Sequence, residues 1–267
     1  MGVRMFADKT IVITGASSGI GKAAAIQLAK KGATVILVAR REALLKDVAG
    51  EINAAGGTAH WYVGDLSQIE AIDQLAEAIL AEHPVIDVLV NNAGRSIRRP
   101  MEESLDRYHD FQRCMDINYF APVRLIRNFL PALTCSPSGH IINSTTWGTL
   151  LPAAGFGPYN ASKIALDSMA NTLRMEMEDQ GLSVTQVHFP LVHTAMSDAT
   201  ASFKKLPGMT PEEAGGWIVK AVQQKPRAIM DMKTRIASGL YFCFPGVVEK
   251  VSKFSPFSVK KRQGAVE

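Results

Sequence analysis

Seven apolar runs rich in β-branched residues alternate with longer stretches of helical periodicity along the chain. The runs are TIVITG (10–15), ATVILVA (33–39), TAHWYV (58–63), IDVLVNN (86–92), HIINST (140–145), SVTQVHF (183–189) and RAIMDM (227–232). The helical stretches lie near 20–31, 41–54, 68–82, 104–133, 157–179 and 211–223. Continuous apolar strands separated by helices predict a parallel sheet covered on both faces. Because crossovers between parallel strands are right-handed, we expect an α/β fold with a doubly wound sheet of about seven strands.

The length of 267 residues suits one large domain better than two small ones. No repeat and no linker divides the chain, so we predict a single domain over residues 1–235. Residues 236–267 mix aromatic with basic side chains, and we expect an irregular tail that extends the domain. The formal charge is +4, and after residue 232 seven basic residues stand against two acidic ones. Such a local excess argues against a nucleic-acid-binding surface across the domain.

The three cysteines, Cys114, Cys135 and Cys243, are odd in number and widely spaced. They form neither a disulfide framework nor a zinc-binding pattern, so we expect no metal centre and a reducing, cytoplasmic environment. The N-terminus does not read as a signal peptide, and no apolar run approaches the roughly 18–20 residues that span a membrane. We therefore expect a soluble or at most peripheral protein.

A glycine-rich turn, TGASSGIG (14–21), follows the first strand and opens the first helix. Gly15, Gly19 and Gly21 allow the backbone to turn tightly and to approach a pyrophosphate at the N-terminus of the helix. Its place within a βαβ unit favours a dinucleotide site over the alternative, a purely structural turn.

The end of the second strand indicates which dinucleotide is bound. A site selective for NAD has an acidic residue there, which binds the ribose 2′-hydroxyl. This chain has Arg40 and Arg41 instead. Guanidinium groups suit a 2′-phosphate, and Ser17 offers a further hydroxyl, so NADP(H) is the predicted cofactor. The alternative is that the two arginines only form the solvated start of a helix.

The segment PYNASK (158–163) places Tyr159 and Lys163 four residues apart, on one face of a predicted helix. A neighbouring ammonium favours the phenolate and is expected to lower the pKa of the phenol from about 10. Such a pair can transfer a proton near neutral pH. The alternative, an ordinary Tyr and Lys on an amphipathic helix, is disfavoured because the pair follows the fifth strand, at the edge where open α/β sheets bind ligands.

Taken together, these motifs resemble the classical short-chain dehydrogenase/reductase family, with its single-domain Rossmann fold, over about residues 8–232. The resemblance is carried by TGASSGIG, GDLS (64–67), NNAG (91–94), DIN (116–118), PYNASK and PLVHTAM (190–196). It implies that Tyr159 protonates a carbonyl oxygen as hydride arrives from the nicotinamide. It also implies that Lys163 binds the nicotinamide ribose and tunes Tyr159, and that Asn118 holds a water of a proton relay.

The resemblance further implies a set of cofactor contacts along the carboxyl edge of the sheet. They fall on Gly15, Ser17, Ser18, Gly19, Ile20, Gly21, Arg40, Arg41, Asp65, Leu66, Asn92, Ala93, Gly94, Tyr159, Lys163, Pro190, Val192, Thr194 and Met196. The family usually has Pro-Gly where this chain has Pro190-Leu191. That departure leaves the geometry of the local loop open.

Three adjacent hydroxyl residues in NSTTWG (143–148) compete for the role of the family's catalytic serine. Thr146 stands 13 residues before Tyr159, which is the spacing of that serine. Strand alternation turns Ser144 and Thr146 to one side and Thr145 to the other. We therefore expect Thr146 to take the role, with Ser144 as the second candidate. Counting back from Gly148 instead points to Thr145.

Longer stretches around NNAG and PLVHTAM resemble the reductase domain of bacterial fatty acyl-CoA reductases. That resemblance implies reduction of a carbonyl on a hydrophobic, fatty-acyl-type substrate, either free or linked to CoA or another carrier. Arg95, Arg98 and Arg99 follow the NNAG strand and offer charges for the phosphates of such a carrier, or form a solvated basic loop.

Two other functions remain as alternatives. One is a hydroxysteroid or generic alcohol dehydrogenase with the same chemistry, and the other is a catalytically silent dinucleotide-binding interaction protein. Residues 236–267 are suited to covering an acyl chain, to peripheral contact with an anionic membrane, or to packing at a subunit interface or on their own domain. By analogy with the family we expect a homodimer or homotetramer.

Overall fold

The fold is a single parallel sheet with helices on both faces, described by a computed structural model over residues 5–252. The strands are β1 (Thr10–Thr14), β2 (Thr34–Ala39), β3 (Thr58–Val63), β4 (Val88–Asn91), β5 (His140–Thr146), β6 (Ser183–Phe189) and β7 (Ala228–Ile229). All their pairings are parallel, in the order β3-β2-β1-β4-β5-β6-β7. The predicted α/β, doubly wound, seven-stranded fold is confirmed.

Ten α-helices and several shorter turns connect the described strands. The helices are α1 (Gly19–Lys30), α2 (Glu42–Ala54), α3 (Ala71–Glu82), α4 (Tyr108–Met115), α5 (Ala121–Cys135), α6 (Gly157–Glu176), α7 (Ala195–Asp198), α8 (Pro211–Gln224), α9 (Met232–Cys243) and α10 (Pro245–Ser252). Short 3₁₀ turns occupy Met101–Glu103, Trp147–Thr149, Glu178–Gln180 and Ala201–Lys205, and a π-helix spans Asp116–Phe120.

Alternating side chains of the central strand build two apolar layers, one on each face of the sheet. Ile11 and Ile13 of β1 belong to the layer that Leu28 of α1 completes, together with residues of α2 and α8. Val12 points to the opposite layer, which holds Phe129 of α5 and residues of α3 and α6. Each of these side chains is fully buried, and a buried side chain of this size contributes about 1.5–3 kcal/mol to folding.

The strand order places a crevice at the carboxyl ends of β1 and β4. From β1 the sheet continues to β2 and β3 on one side and to β4, β5, β6 and β7 on the other. The loops that leave β1 and β4 therefore diverge to opposite faces, and the gap between them is where open α/β sheets bind ligands. The glycine turn after β1 and the NNAG segment after β4 form the two sides of this gap.

The predicted helical stretch 104–133 is not one helix. It consists of α4, the π-helix Asp116–Phe120 and α5, because one wider turn interrupts the regular ladder of hydrogen bonds. The predicted strand 227–232 is also shorter than expected: only Ala228 and Ile229 pair with β6. Asp231 already caps α9, since its carboxylate accepts a hydrogen bond from the Thr234 N–H.

The expectation of an irregular tail after residue 235 is wrong for its first part. α9 begins before that boundary, at Met232, and α10 follows it to Ser252. The apolar residues Met232, Ile236 and Leu240 recur at helical spacing along α9 but are more than half exposed, so α9 does not pack on the domain through a buried apolar face. The remainder of the predicted tail, residues 253–267, lies outside the described residues.

None of the helices within residues 5–252 combines the length and the apolar character that crossing a membrane requires.

Candidate active site

A cleft of about 1010 Å³ opens at the carboxyl ends of the strands. It is lined by all but two of the residues proposed for cofactor binding and catalysis, together with Arg95, Arg98, Arg113, Trp147, Phe156 and Phe203. The two exceptions, Gly21 and Asn118, lie directly behind the wall of the cleft, and each supports a residue that lines it.

The glycine turn after β1 has a backbone conformation and a close packing that residues with a Cβ atom would disrupt. Gly15 and Gly19 have φ values of +66° and +55°, in the left-handed region that favours glycine. A Cβ atom on Gly21 would lie 2.4 Å from the carbonyl oxygen of Gly15. The backbone of the turn and the first turn of α1 are therefore packed against each other, as a cradle for a ligand requires.

The N-terminus of α1 faces this cradle without a side-chain cap. Ser18 is the N-cap residue, and its hydroxyl makes no capping hydrogen bond. The first turn carries no acidic side chain. The backbone N–H groups and the positive end of the helix dipole thus face the cleft, and such a helix N-terminus is suited to binding an anion.

Arg40 and Arg41 lie at the same end of the cleft. The Arg41 guanidinium donates to the hydroxyls of Ser17 at 3.3 Å and Ser18 at 3.1 Å. A nitrogen of Arg40 lies 3.9 Å from a carboxylate oxygen of Asp65. Two guanidinium groups and two hydroxyls therefore surround the outer rim of the glycine turn, as a dianionic phosphate requires.

The Thr14 side chain fixes the opposite wall of the cradle. Its hydroxyl accepts hydrogen bonds from the backbone N–H groups of Asn92 and Ala93, each at 2.9 Å. The Asn92 amide donates to the Thr14 carbonyl at 3.0 Å. These contacts bind the end of β1 to the segment after β4, so the two sides of the crevice form one rigid unit.

Tyr159 lies in the first turn of α6, beside the end of β5, with part of its surface facing the cleft. The surrounding protein raises the pKa of the phenol to about 12, because desolvation disfavours the phenolate. Hydrogen bonding with the neighbouring Thr146 hydroxyl opposes this rise and acts to lower the pKa. The expectation that Lys163 lowers the pKa below 10 is therefore wrong here, since desolvation outweighs every favourable contact.

Lys163 is buried one helical turn further along α6. Its ammonium donates a hydrogen bond of 2.8 Å to the backbone carbonyl of Ser144. Burial lowers the pKa of this lysine to about 8, although the charge of Asp167 on the next turn acts to raise it. The ammonium is therefore mostly protonated at neutral pH but gives up its proton far more readily than an exposed lysine does.

Asn118 lies in the π-helix, fully buried behind Gly94. Its amide nitrogen donates to the Arg95 carbonyl at 2.8 Å and to the Ser162 hydroxyl at 2.9 Å. Its amide oxygen accepts from the Arg95 N–H at 2.9 Å. The side chain thus holds the loop after β4 against α6.

The three hydroxyls of NSTTWG have three different environments. Thr145 faces away from Tyr159, and its hydroxyl contacts the Val187 carbonyl and the His188 ring. The Ser144 hydroxyl donates to the Asn92 side chain at 3.3 Å. Thr146 lies beside Tyr159, and its hydroxyl also accepts from the Gly148 N–H at 3.2 Å. Thr146 is thus the one of the three residues whose hydroxyl contacts the phenol.

The loop after β6 forms the front of the cleft. Val192 pairs with Met209, and the Thr194 hydroxyl caps α7 by accepting from the Ser197 N–H. The carbonyl of Leu191 accepts from the Met209 N–H at 2.8 Å. Among described non-glycine residues only Lys225 has a positive φ, so Leu191, where the family usually has glycine, takes an ordinary backbone conformation.

An aromatic and cationic cluster on the cleft wall was not identified from the sequence. The rings of Phe156 and Phe203 are stacked with centroids 6.0 Å apart. The Arg98 guanidinium lies 5.8 Å and 5.4 Å from these two rings. Arg98 follows β4, Phe156 is the N-cap residue of α6 and Phe203 lies in a 3₁₀ turn, so only the folded chain brings these three residues together.

The three arginines predicted to bind a carrier phosphate separate into two groups. Arg95 and Arg98 line the cleft. Arg99 does not, because it pairs with the buried carboxylate of Asp110 at 3.3 Å. Arg113, which the sequence did not indicate, takes a place on the cleft wall instead.

Comparison with known proteins agrees with this geometry. A family model described as short chain dehydrogenase matches residues 9–205, and the chain belongs to that family. A fatty acyl-CoA reductase of Acinetobacter baylyi is 44% identical over 239 residues, which cover 90% of this chain and 81% of that protein. A fatty acyl-CoA reductase of Mycobacterium tuberculosis is 48% identical over 219 residues, covering 82% and 74% respectively.

Solved structures share the same architecture. A short-chain dehydrogenase from Streptomyces avermitilis superposes with a TM-score of 0.77 at 28% identity, over 92% of this chain and 96% of that one. A metagenomic short-chain oxidoreductase in complex with NADP superposes with a TM-score of 0.74 at 30% identity, over 85% and 98%.

The raised pKa of Tyr159 predicts a measurable alkaline transition. The difference between the phenolate absorbance titrations of the wild type and the Tyr159→Phe variant should contain one phenol with a pKa near 12. Because the folded-state pKa lies above the unfolded value of about 10, this group's contribution to stability is complete below pH ~10 and is lost as pH rises toward 12. A difference titration centred at or below pH ~10 would contradict the burial argument.

Proposed function

We propose that the protein is an NADPH-dependent oxidoreductase that reduces a carbonyl group of a hydrophobic, fatty-acyl-type substrate. The observation that carries the proposal is the contact of Tyr159 with Thr146, one helical turn from the buried Lys163, at the floor of the cleft. The names of the two bacterial relatives support the choice of substrate class.

The cradle around the glycine turn fits a dinucleotide phosphate. The positive φ of Gly15, the uncapped start of α1 and the wall at Asn92–Gly94 leave backbone rather than side chains facing the ligand. Arg40 and Arg41 offer the guanidinium groups that a 2′-phosphate needs, and a solved relative is named as a complex with NADP. NADPH bound there supplies the hydride of the reaction.

Tyr159 is proposed as the proton donor to the substrate oxygen. A pKa near 12 keeps the phenol protonated at neutral pH, so Tyr159 carries the proton that a general acid gives to the substrate oxygen. Thr146 would hold the same carbonyl oxygen by a hydrogen bond. Lys163, with a pKa near 8, is the group from which Tyr159 would regain its proton.

Asn118 is proposed to act through its backbone. Its side-chain amide oxygen and nitrogen are already hydrogen-bonded to Arg95 and Ser162. A relay water would therefore be bound by the carbonyl of Asn118, within the π-helix, and π-helical turns frequently occur at functional sites.

The substrate part of the cleft combines apolar and cationic walls. Phe156 and Phe203 provide an apolar surface beside Tyr159, whose ring centroid lies 6.3 Å from that of Phe156. Arg95, Arg98 and Arg113 line the same cleft. We propose that the acyl chain contacts the aromatic wall and that the arginines face the phosphates of CoA or of another acidic carrier.

Self-association is proposed through α4, the π-helix and α6. Four apolar side chains on these elements are between 46% and 77% exposed: Tyr108, Phe120, Ile164 and Met175. Where exposed apolar side chains form a contiguous surface, that surface is typical of a protein interface. Light scattering of the purified chain tests this proposal, and a monomer at all concentrations would refute it.

Peripheral membrane contact is proposed for α9 and α10, in a protein of the cytoplasm. Ile236, Leu240, Phe242 and Phe244 are all more than half exposed there, next to the basic side chain of Lys233. Apolar and basic groups together favour an anionic lipid surface. Flotation with anionic vesicles tests this proposal, and equal recovery of the chain with and without vesicles would refute it.

The proposed activity predicts a particular substrate profile. Purified protein should oxidise NADPH with long-chain fatty aldehydes or acyl-CoAs, and the rate should rise with chain length as the aromatic wall is filled. The measurement is NADPH absorbance over a panel that also contains 3-ketoacyl thioesters and ketosteroids. Turnover confined to ketosteroids would instead identify a hydroxysteroid dehydrogenase. Binding of NADPH without any turnover would identify a catalytically silent protein.

The cofactor preference should depend on Arg41. The Arg41→Ala variant is expected to bind NADPH about 10–100-fold more weakly, since it removes a charge-assisted hydrogen bond worth roughly 1.5–3 kcal/mol, while NADH binding changes little. Cofactor fluorescence measures both affinities. The control is Arg235→Ala, which removes an exposed guanidinium on α9 that does not line the cleft. A wild-type preference for NADH of tenfold or more would contradict the assignment.

The two hydroxyls on the same side of β5 should differ in their effect on turnover. Thr146→Ala is expected to lower kcat by about 10²–10³, as loss of one donor to the reacting oxygen does. Thr146→Ser keeps the hydroxyl and should restore most of the rate. Ser144→Ala should have a mild effect, because the contact of Ser144 with Lys163 uses the backbone carbonyl. If Ser144→Ala lowered kcat strongly and Thr146→Ala had only a mild effect, Ser144 rather than Thr146 would be the residue that holds the carbonyl oxygen.

A further inference from the structure

Two imidazoles and one carboxylate converge where the edge strand β3 meets the end of α3. His60 lies in β3, Glu82 is the last residue of α3, and His83 is its C-cap. One potential ligand atom of each residue lies within 4.8 Å of the other two. None of the three lines the catalytic cleft, and neither the proposed reaction nor the family assignment gives them a role.

Strand alternation explains why these side chains meet. Ala59 and Trp61 face the apolar layer of α1 and α2, so their neighbours His60 and Tyr62 face α3. The His60 and His83 rings have centroids 4.8 Å apart and meet edge to face at 64°. The juxtaposition therefore follows from the pairing of β3 with the sheet and the packing of α3.

The cluster contains one buried polar atom without a partner. Within residues 5–252, His83 Nε2 has no hydrogen-bond partner although it is buried, whereas the neighbouring Tyr62 hydroxyl interacts with Glu82. A buried polar atom without a partner costs free energy, so native structures seldom retain one without reason. An orphaned imidazole nitrogen beside a second imidazole and a carboxylate indicates a ligand that accepts lone pairs.

The electrostatics of the cluster favour a cation. The backbone carbonyls at the end of α3 present the negative end of the helix dipole, and Glu82 adds a negative charge.

We propose that His60, Glu82 and His83 bind one divalent transition-metal ion of the Zn²⁺ class. Imidazole and carboxylate together suit Zn²⁺, Co²⁺ or Ni²⁺, whereas Mg²⁺ and Ca²⁺ prefer all-oxygen sites. Ligand atoms in a tetrahedral zinc site lie about 3.3 Å apart, for bonds of ~2.0–2.1 Å. His60 and Glu82 are exposed, so their side chains have room to rotate from the present separation of up to 4.8 Å toward that spacing.

The site would fasten the outermost strand of the sheet to α3. Among the described strands β3 pairs only with β2, and it leads directly to Asp65, which lines the cleft. The metal ion has no part in the proposed reduction, so metal binding and reductase activity can be tested separately.

Cobalt binding tests the proposal with a spectroscopic readout. The full chain carrying Cys135→Ser and Cys243→Ser, which removes its two exposed thiols, is freed of metal with a chelator and titrated with Co²⁺. We expect one equivalent to bind with the visible absorption of a tetrahedral nitrogen and oxygen site, and we expect Zn²⁺ but not Mg²⁺ to displace it. The melting temperature should rise with added Zn²⁺.

Variants of the cluster identify the site. His60→Gln and His83→Gln should each weaken Co²⁺ binding about tenfold or more and abolish the thermal shift. The matched control, His109→Gln, replaces an exposed histidine of α4 and should bind Co²⁺ as the parent does. Should His83→Gln fail to fold by circular dichroism, Glu82→Gln replaces an exposed side chain and tests the same site. Absence of stoichiometric binding, or equal binding by the parent and the cluster variants, would overturn the proposal.

Discussion

The pairing of β1 with β2 on one side and β4 on the other is the constraint on which the rest of the structure depends. It forces the chain to leave β1 and β4 toward opposite faces of the sheet, and so opens the crevice at their carboxyl ends. The Thr14 side chain makes this crevice rigid, because it binds the backbone at Asn92 and Ala93. The glycine turn, the start of α1 and the catalytic end of β5 all take their positions relative to this unit.

The buried ammonium of Lys163 connects the sheet to the helix that carries Tyr159. A charge out of water is tolerated only with a hydrogen-bond partner, and Lys163 has one in the carbonyl of Ser144. The contact holds α6 against β5 and so places Tyr159 beside Thr146. Desolvation has opposite effects on the two titratable groups: it raises the pKa of the phenol and lowers that of the ammonium. These shifts suit the proposed roles of Tyr159 as the proton donor and of Lys163 as the group that returns the proton.

The sequence was sufficient to predict the sheet and most of the cleft, because both depend on local patterns. Apolar runs mark the strands. The glycine turn is a continuous stretch between β1 and α1, and Tyr159 and Lys163 are four residues apart in one helix, so both features are visible in the sequence. The Arg98, Phe156 and Phe203 cluster could not be predicted, since its members meet only after folding. The direction of the Tyr159 pKa shift also escaped prediction, because it depends on how much protein surrounds the phenol. The helices α9 and α10 also escaped prediction, because the mixture of aromatic and basic residues after residue 235 was interpreted as an irregular tail.

The Tyr159→Phe variant tests the central claim most directly, since it removes one hydroxyl from the floor of the cleft and little else. NADPH affinity and the rate of carbonyl reduction should be measured on the same preparation, with the fatty-acyl substrate that the wild type turns over fastest. Proton donation by Tyr159 predicts unchanged NADPH binding and a fall in kcat of about 10²–10⁴ or more. An undiminished kcat in a variant that still binds NADPH would contradict the account.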